Sequence, residues 1–102
     1  MKIMICQPKE NEKTIEELKE EKEKVIKHLK EMGYEVVDEE LLLNKRKENT
    51  SLNIPIYNLA KEIEIMSKVD SVFFMNDWIK SKSCTLKYDI AKAYNLILLF
   101  ES

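Results

Sequence analysis

Short, solidly apolar runs alternate with longer amphipathic stretches along this chain. The runs lie at residues 3–6, 72–75 and 96–100, and residues 34–38 predict a further short strand that includes Glu35 and Asp38. The apolar runs lack the polar alternation of a half-exposed strand, so they predict strands that are buried on both faces. The longer stretches between them predict helices, which gives the order β-α-β-α-β-α-β.

Helix-end signals support the first of these helices. Thr14-Ile15-Glu16-Glu17 predicts a capping box, and Gly33 lies where a left-handed helix end is expected. Apolar residues at helical spacing mark the three helices, and those of the third predict a single apolar face. They are Ile15, Leu18, Val25, Ile26, Leu29 and Met32; then Ile56, Leu59, Ala60, Ile63 and Met66; then Leu86, Ile90, Ala93 and Tyr94.

This order predicts one α/β domain over residues 1–102, with residues 39–53 as an exposed, mobile loop. Strands buried on both faces need helices on both sides, which indicates a doubly wound parallel sheet with strand order 2-1-3-4. Ligands bind such sheets beyond the carboxyl ends of the strands, where the winding reverses. That point lies between the first and third strands.

Composition narrows the classes of function. The chain has 17 basic and 19 acidic residues, a formal charge of −2, which argues against binding a nucleic-acid polymer. No apolar run approaches the length of a membrane span, and the first residues do not form a signal peptide, so we expect a soluble cytoplasmic protein. Two cysteines and one histidine are too few for a structural zinc site, and we expect no metal or cofactor.

Candidate site residues follow the first and third strands: Cys6, Gln7, Pro8, Asp77, Trp78, Ser81, Lys82, Ser83 and Cys84. A helix N-terminus exposes backbone N–H groups and a partial positive charge, so this loop suits a phosphate or carboxylate. Alternatives stay open: the serines bind a phosphate or cap the helix, and Asp77 contacts a ribose or stabilises a turn. Trp78 stacks on a base or packs, while the cysteines form a redox pair or two buried thiols.

The motifs at residues 1–8, 33–38, 57–74 and 78–94 resemble those of the nucleoside 2-deoxyribosyltransferase-like superfamily. The likeness is greatest to its small bacterial and phage members, and the Trp-x-x-Ser-x-x-Cys segment with the helix after it is the most specific part. The resemblance implies a flavodoxin-like, Rossmann-like three-layer fold, a pocket for a nucleoside or nucleotide, and a homo-oligomer whose subunits help close that pocket.

The departures from the superfamily concern its chemistry. Where active members place a glutamate that stabilises the cationic sugar, this chain has Lys87, and the pair that usually follows is replaced by Tyr88-Asp89. Our first hypothesis is therefore a catalytically degenerate protein that binds or sequesters a phosphorylated nucleoside or nucleotide signal, with Lys87 as an anion partner. The alternatives are an N-glycosidase or deoxyribosyltransferase with another carboxylate, Asp77 being the candidate, and a protein-interaction module.

Overall fold

The computed structural model describes residues 1–8, 13–37 and 53–102, and these form a parallel sheet between two layers of helices. The strands are β1 (Lys2–Cys6), β2 (Glu35–Val37), β3 (Ser71–Phe74) and β4 (Ile97–Phe100), in the order β2-β1-β3-β4. The helices are α1 (Ile15–Glu31), α2 (Ile54–Met66) and α3 (Lys82–Ala93), with a short 3-10 helix at Trp78–Lys80. The predicted fold class and strand order are confirmed.

Register divides the sheet residues between two cores. Ile5 lies opposite Phe73 and Phe73 opposite Leu99, so these three side chains share the face that α1 covers. Their neighbours Met4, Val72 and Leu98 point to the other face, which α2 and α3 cover. Since one helix lies on one face and two lie on the other in the described ranges, the molecule has three layers with uneven cover.

The structure contains both helix-end features that the sequence predicts for α1. The Thr14 side chain accepts a hydrogen bond from the Glu17 backbone, and the Glu17 carboxylate accepts one from the Thr14 backbone. Gly33 follows α1 with a φ of 95°, a left-handed conformation that favours glycine. The capping box and the left-handed helix end are therefore confirmed.

The apolar face predicted for α3 is wrong in part, because Ile90 packs against the core but Leu86 and Tyr94 do not. Of the apolar residues that mark α2, Met66 is buried and Ile56 is not. Ile56, Leu86 and Tyr94 are exposed, whereas α2 buries Glu62 with Ile65 and Met66, and α3 buries Cys84, Lys87 and Ala91. The physical reason is that Glu62 and Lys87 pair with each other, which lets two charged residues occupy buried positions of these helices. In α1, Ile15 and Met32 at the two ends are likewise exposed.

The loop predicted at residues 39–53 lies outside the described residues except for its last residue. The Asn53 side chain accepts a hydrogen bond from the Ile56 backbone and caps α2. Within the described ranges, no helix has the length and apolar character needed to cross a bilayer.

Candidate functional site

The carboxyl ends of β1 and β3 bring the predicted residues to one edge of the sheet, but on both of its faces. Cys6, the last residue of β1, belongs to the core under α3. The next residue, Gln7, lies on the α1 side, where its amide nitrogen donates to the Leu18 carbonyl at 2.7 Å. Pro8, which is buried, lines the same side. The candidate site therefore has two halves separated by the sheet.

Cys6 and Cys84 form the centre of the half under α3. Both are fully buried and neither is in a disulfide, and the Cys6 thiol donates to the Cys84 sulfur with the two Sγ atoms 2.7 Å apart. This hydrogen bond lowers the pKa of the Cys84 thiol, with help from the Ser81 hydroxyl and the charge of Lys87, against the opposing effects of burial and Glu62. The structure thus brings together two cysteines that are 78 positions apart in the chain.

Lys87 lies one turn further along α3 and is also buried. Its ammonium group contacts the Glu62 carboxylate of α2, and the two side chains are 3% and 9% exposed. A buried charge needs such a partner, because removing it from water without one is costly. The Lys87 charge is therefore balanced within the protein, and the lysine does not line the groove described below.

Ser81 acts as the N-cap of α3. The Ser81 hydroxyl accepts a hydrogen bond from the Cys84 backbone N–H at 3.3 Å and lies 3.2 Å from the Ser83 hydroxyl. Ser81 is buried, while the neighbouring Lys82 is exposed. Capping accounts for Ser81 without a ligand, so phosphate binding by these serines stays a prediction.

Asp77 and Trp78 form the turn between β3 and α3. Asp77 is exposed, has a left-handed backbone with a φ of 69°, and lies 3.9 Å from the Lys80 ammonium group. Trp78 packs against Phe74 and Tyr88, with ring centroids 5.1 and 4.8 Å away. The geometry therefore supplies a turn role for Asp77 and a packing role for Trp78, and their predicted ligand contacts are untested.

A groove of about 610 Å³ opens on the α1 side of the same edge. Its walls are apolar and aromatic, with Tyr34, Phe73 and Leu99 among them; the buried Gln7 also lines it, and its polar rim includes Lys13 and Asn76. Lys13 forms an ion pair with Glu21 at 2.5 Å, and this hydrogen bond raises the lysine pKa. The volume lies within the range of small-molecule sites, as does the mixture of apolar wall and a few polar groups.

The sequence pattern missed Glu62 and most of the groove. Glu62 was not among the apolar residues that mark α2 in the sequence, and its partner is 25 residues away. Tyr34 and Phe73 were assigned to strands, but a strand assignment does not show that a face is left uncovered. The uneven number of helices on the two sides of the predicted sheet was the signal that would have indicated the groove.

Comparison with known proteins gives a family but no activity. The model of the family described as "Domain of unknown function (DUF4406)" matches residues 11–100. No curated protein matches the chain significantly, and neither does any solved structure. Since the match covers most of the chain, with the strands β2, β3 and β4 but not β1, the chain belongs to the DUF4406 family.

Proposed function

We propose that this protein binds a phosphorylated nucleoside or a nucleotide signal in the groove between α1 and the open face of β3 and β4. The observation that carries the proposal is the groove itself, at the carboxyl edge of a doubly wound sheet where such folds bind ligands. The compartment we propose is the cytoplasm, and the sequence resemblance described above supports the class of ligand.

The groove suits a ligand with a flat apolar part. Tyr34 and Phe73 are half-buried and line its wall, with Met75 and Leu99 beside them. Aromatic rings stack on nucleobases without needing a particular base, and such stacking contributes about 1–3 kcal/mol per base. Asn76, which is exposed, adds an amide group that fits the polar edge of a base or a sugar.

The rim also offers positive charge for a phosphate. Lys13 and Lys24 line the groove, as do the carboxylates of Glu21 and Glu101. Because Lys13 is paired with Glu21, a phosphate has to compete with that carboxylate for the lysine. We accordingly assign anion recognition to these rim cations rather than to Lys87, whose charge Glu62 balances.

The enzyme alternative has one observation in its favour. Glu62 provides a buried carboxylate in contact with Lys87, the position at which the resemblance leads one to expect a carboxylate. In this arrangement α2 would supply the negative charge that α3 lacks. A glycosyl bond could then break with Glu62 stabilising the cationic sugar.

One mass-spectrometry experiment tests the proposal. The purified protein is incubated with nucleosides, nucleoside monophosphates and dinucleotide-derived signals, and the filtrate and the denatured protein are analysed separately. We expect an intact phosphorylated compound that is released only on denaturation. Free base in the filtrate would overturn simple binding in favour of the enzyme, and no retained compound would favour an interaction module.

A pair of tyrosine variants then locates the site. Tyr34 lines the groove, whereas Tyr94 is exposed at the end of α3 and does not line it. Tyr34→Ala should weaken binding of the retained compound at least about tenfold, or 1.4 kcal/mol, and Tyr94→Ala should leave it unchanged. Equal affinity of both variants and the unaltered protein would place the ligand elsewhere.

A further inference from the structure

The two cysteines of this chain, its only ones, meet at the junction of β1 and α3. Cys6 ends β1, and Cys84 is the third residue of α3. Their sulfur atoms are 2.7 Å apart, and a disulfide bond is about 2.05 Å long, so a movement of about 0.7 Å would bring them to bonding distance. Neither thiol is exposed, which leaves the other as its nearest partner for oxidation.

The surroundings of Cys84 favour its thiolate form. The residue lies in the first turn of α3, where the partial positive charge of the helix N-terminus stabilises a thiolate. The thiol of Cys6, the hydroxyl of Ser81 and the ammonium group of Lys87 add to this effect, while Glu62 and burial oppose it, and together they lower the Cys84 pKa. Cys6 is the hydrogen-bond donor of the pair, so the two cysteines have different roles.

From this geometry we propose that Cys6 and Cys84 are a redox site that forms a reversible intramolecular disulfide on exposure to hydrogen peroxide, with Cys84 attacking and Cys6 resolving. The disulfide would join the end of β1 to the start of α3. A dithiol reductant would restore the two thiols. This inference does not depend on the ligand proposed for the groove.

The chemistry balances in two steps. The Cys84 thiolate attacks one peroxide oxygen, so an S–O bond forms, the O–O bond breaks, and the departing hydroxide takes up a proton to become water. The Cys6 sulfur then attacks the Cys84 sulfenic acid: the S–S bond forms, the S–O bond breaks, and the hydroxide leaves as water with the Cys6 proton. The two thiols together lose two electrons and two protons, and one peroxide becomes two waters.

Thiol counting on the native protein tests the proposal directly. The reduced protein is treated with hydrogen peroxide, alkylated under denaturing conditions and analysed by mass spectrometry. We expect neither cysteine to be alkylated after peroxide treatment. The mass of a single chain should be lower than that of the reduced, unalkylated chain by two hydrogen atoms, and dithiothreitol should restore both thiols. The oxidation rate should rise with pH, with a midpoint below that of a free cysteine thiol, because the thiolate is the attacking form.

Two matched variants test the assignment of roles. With dimedone present, Cys6→Ser should accumulate a sulfenic acid adduct at Cys84, since the resolving thiol is gone, whereas Cys84→Ser should give no adduct at Cys6. An adduct at Cys6 instead would overturn the roles. Two thiols that persist in the native wild type, or a disulfide that joins two chains, would overturn the site, and neither result depends on whether a variant folds.

Discussion

The Glu62–Lys87 pair determines the electrostatics of the half of the site under α3. It joins α2 to α3 beneath the surface, one turn beyond Cys84. A buried ion pair does not guarantee stability, because both groups lose their hydration. It does make each partner depend on the other, since either charge left alone in that position would be uncompensated.

Single and double substitutions of this pair should have opposite consequences. Lys87→Met leaves Glu62 buried without its partner and should lower the free energy of unfolding by about 3–5 kcal/mol. Combining it with Glu62→Met removes both charges and should recover most of that loss. Urea unfolding at neutral pH measures both, with the midpoint and the slope reported for each variant.

Additive changes in the free energy of unfolding would contradict this prediction. Lys87→Met and Glu62→Met each lower the free energy of unfolding by a measured amount. If the double variant lowers it by the sum of these two amounts, to within about 0.5 kcal/mol, the two side chains do not act as a unit. Lys61 with Glu64 serves as a control, because that pair is exposed and 3.4 Å apart. Lys61→Met should change the free energy of unfolding by at most about 1 kcal/mol.

Residue by residue, the sequence predicted what local chemistry determines. The roles of Thr14, Glu17 and Gly33 depend only on residues a few positions away in the chain, so residue spacing was enough to predict them. The role of Lys87 could not be predicted in this way, because its partner comes from another helix and only the folded chain shows that the lysine points inward. The predicted topology indicated that Cys6 and Cys84 lie near each other, but it did not show that they form a hydrogen bond.

At the scale of elements, apolar spacing was a good guide to where helices occur and a poor one to which face they bury. Strand positions were correct to within one or two residues, because apolar runs ended by turns define them. The face predicted for α3 was wrong at Leu86 and Tyr94, because the pattern counts the buried Lys87 as polar. Small residues of α3, Cys84 and Ala91, approach the sheet where larger ones were expected.

Helix α1 should be sensitive to its cap, because few of its residues are buried. Val25 and Leu29 are its apolar residues in the core, while most of its other side chains are exposed. Thr14→Ala removes the hydroxyl that accepts from the Glu17 backbone and should lower the free energy of unfolding by about 1 kcal/mol. Chemical denaturation followed by circular dichroism measures the change.

Thr14→Ser is the matched control for this cap. Serine retains the hydroxyl and caps helices at least as well as threonine, so this variant should unfold within about 0.5 kcal/mol of the wild type. Amide exchange should also quicken in the first turn of α1 in Thr14→Ala alone. An alanine variant as stable and as slowly exchanging as the serine variant would show that the capping box contributes nothing.

At the scale of the whole molecule, the uneven cover of the sheet explains the groove. A helix is about 10 Å wide and neighbouring strands are about 4.8 Å apart, so one helix covers roughly two strands. The two helices α2 and α3 can therefore cover all four strands on the face of Met4 and Val72. On the opposite face, α1 alone leaves β3 and β4 partly uncovered. Ile97, at the start of β4 on this open face, is 45% exposed.

An open apolar strand at the edge of a sheet favours association, and we expect a second copy of this chain to cover it. Ile97→Lys places a charge on that face and should shift the protein to the 12.1 kDa monomer in sedimentation equilibrium. Leu86→Lys is the matched control, because Leu86 is 48% exposed but lies on α3, on the opposite side of the sheet. The control should retain the mass of the unaltered protein.

The two variants also decide between surfaces. If Leu86→Lys dissociates the protein and Ile97→Lys does not, the copies meet through the helices α2 and α3 and the groove stays open to solvent. If the wild type is a monomer at every concentration, no second copy covers the open face. Only dissociation by Ile97→Lys, with an unchanged circular dichroism spectrum, supports a copy that helps to close the groove, because Ile97 and the groove wall at Leu99 lie on the same face of β4.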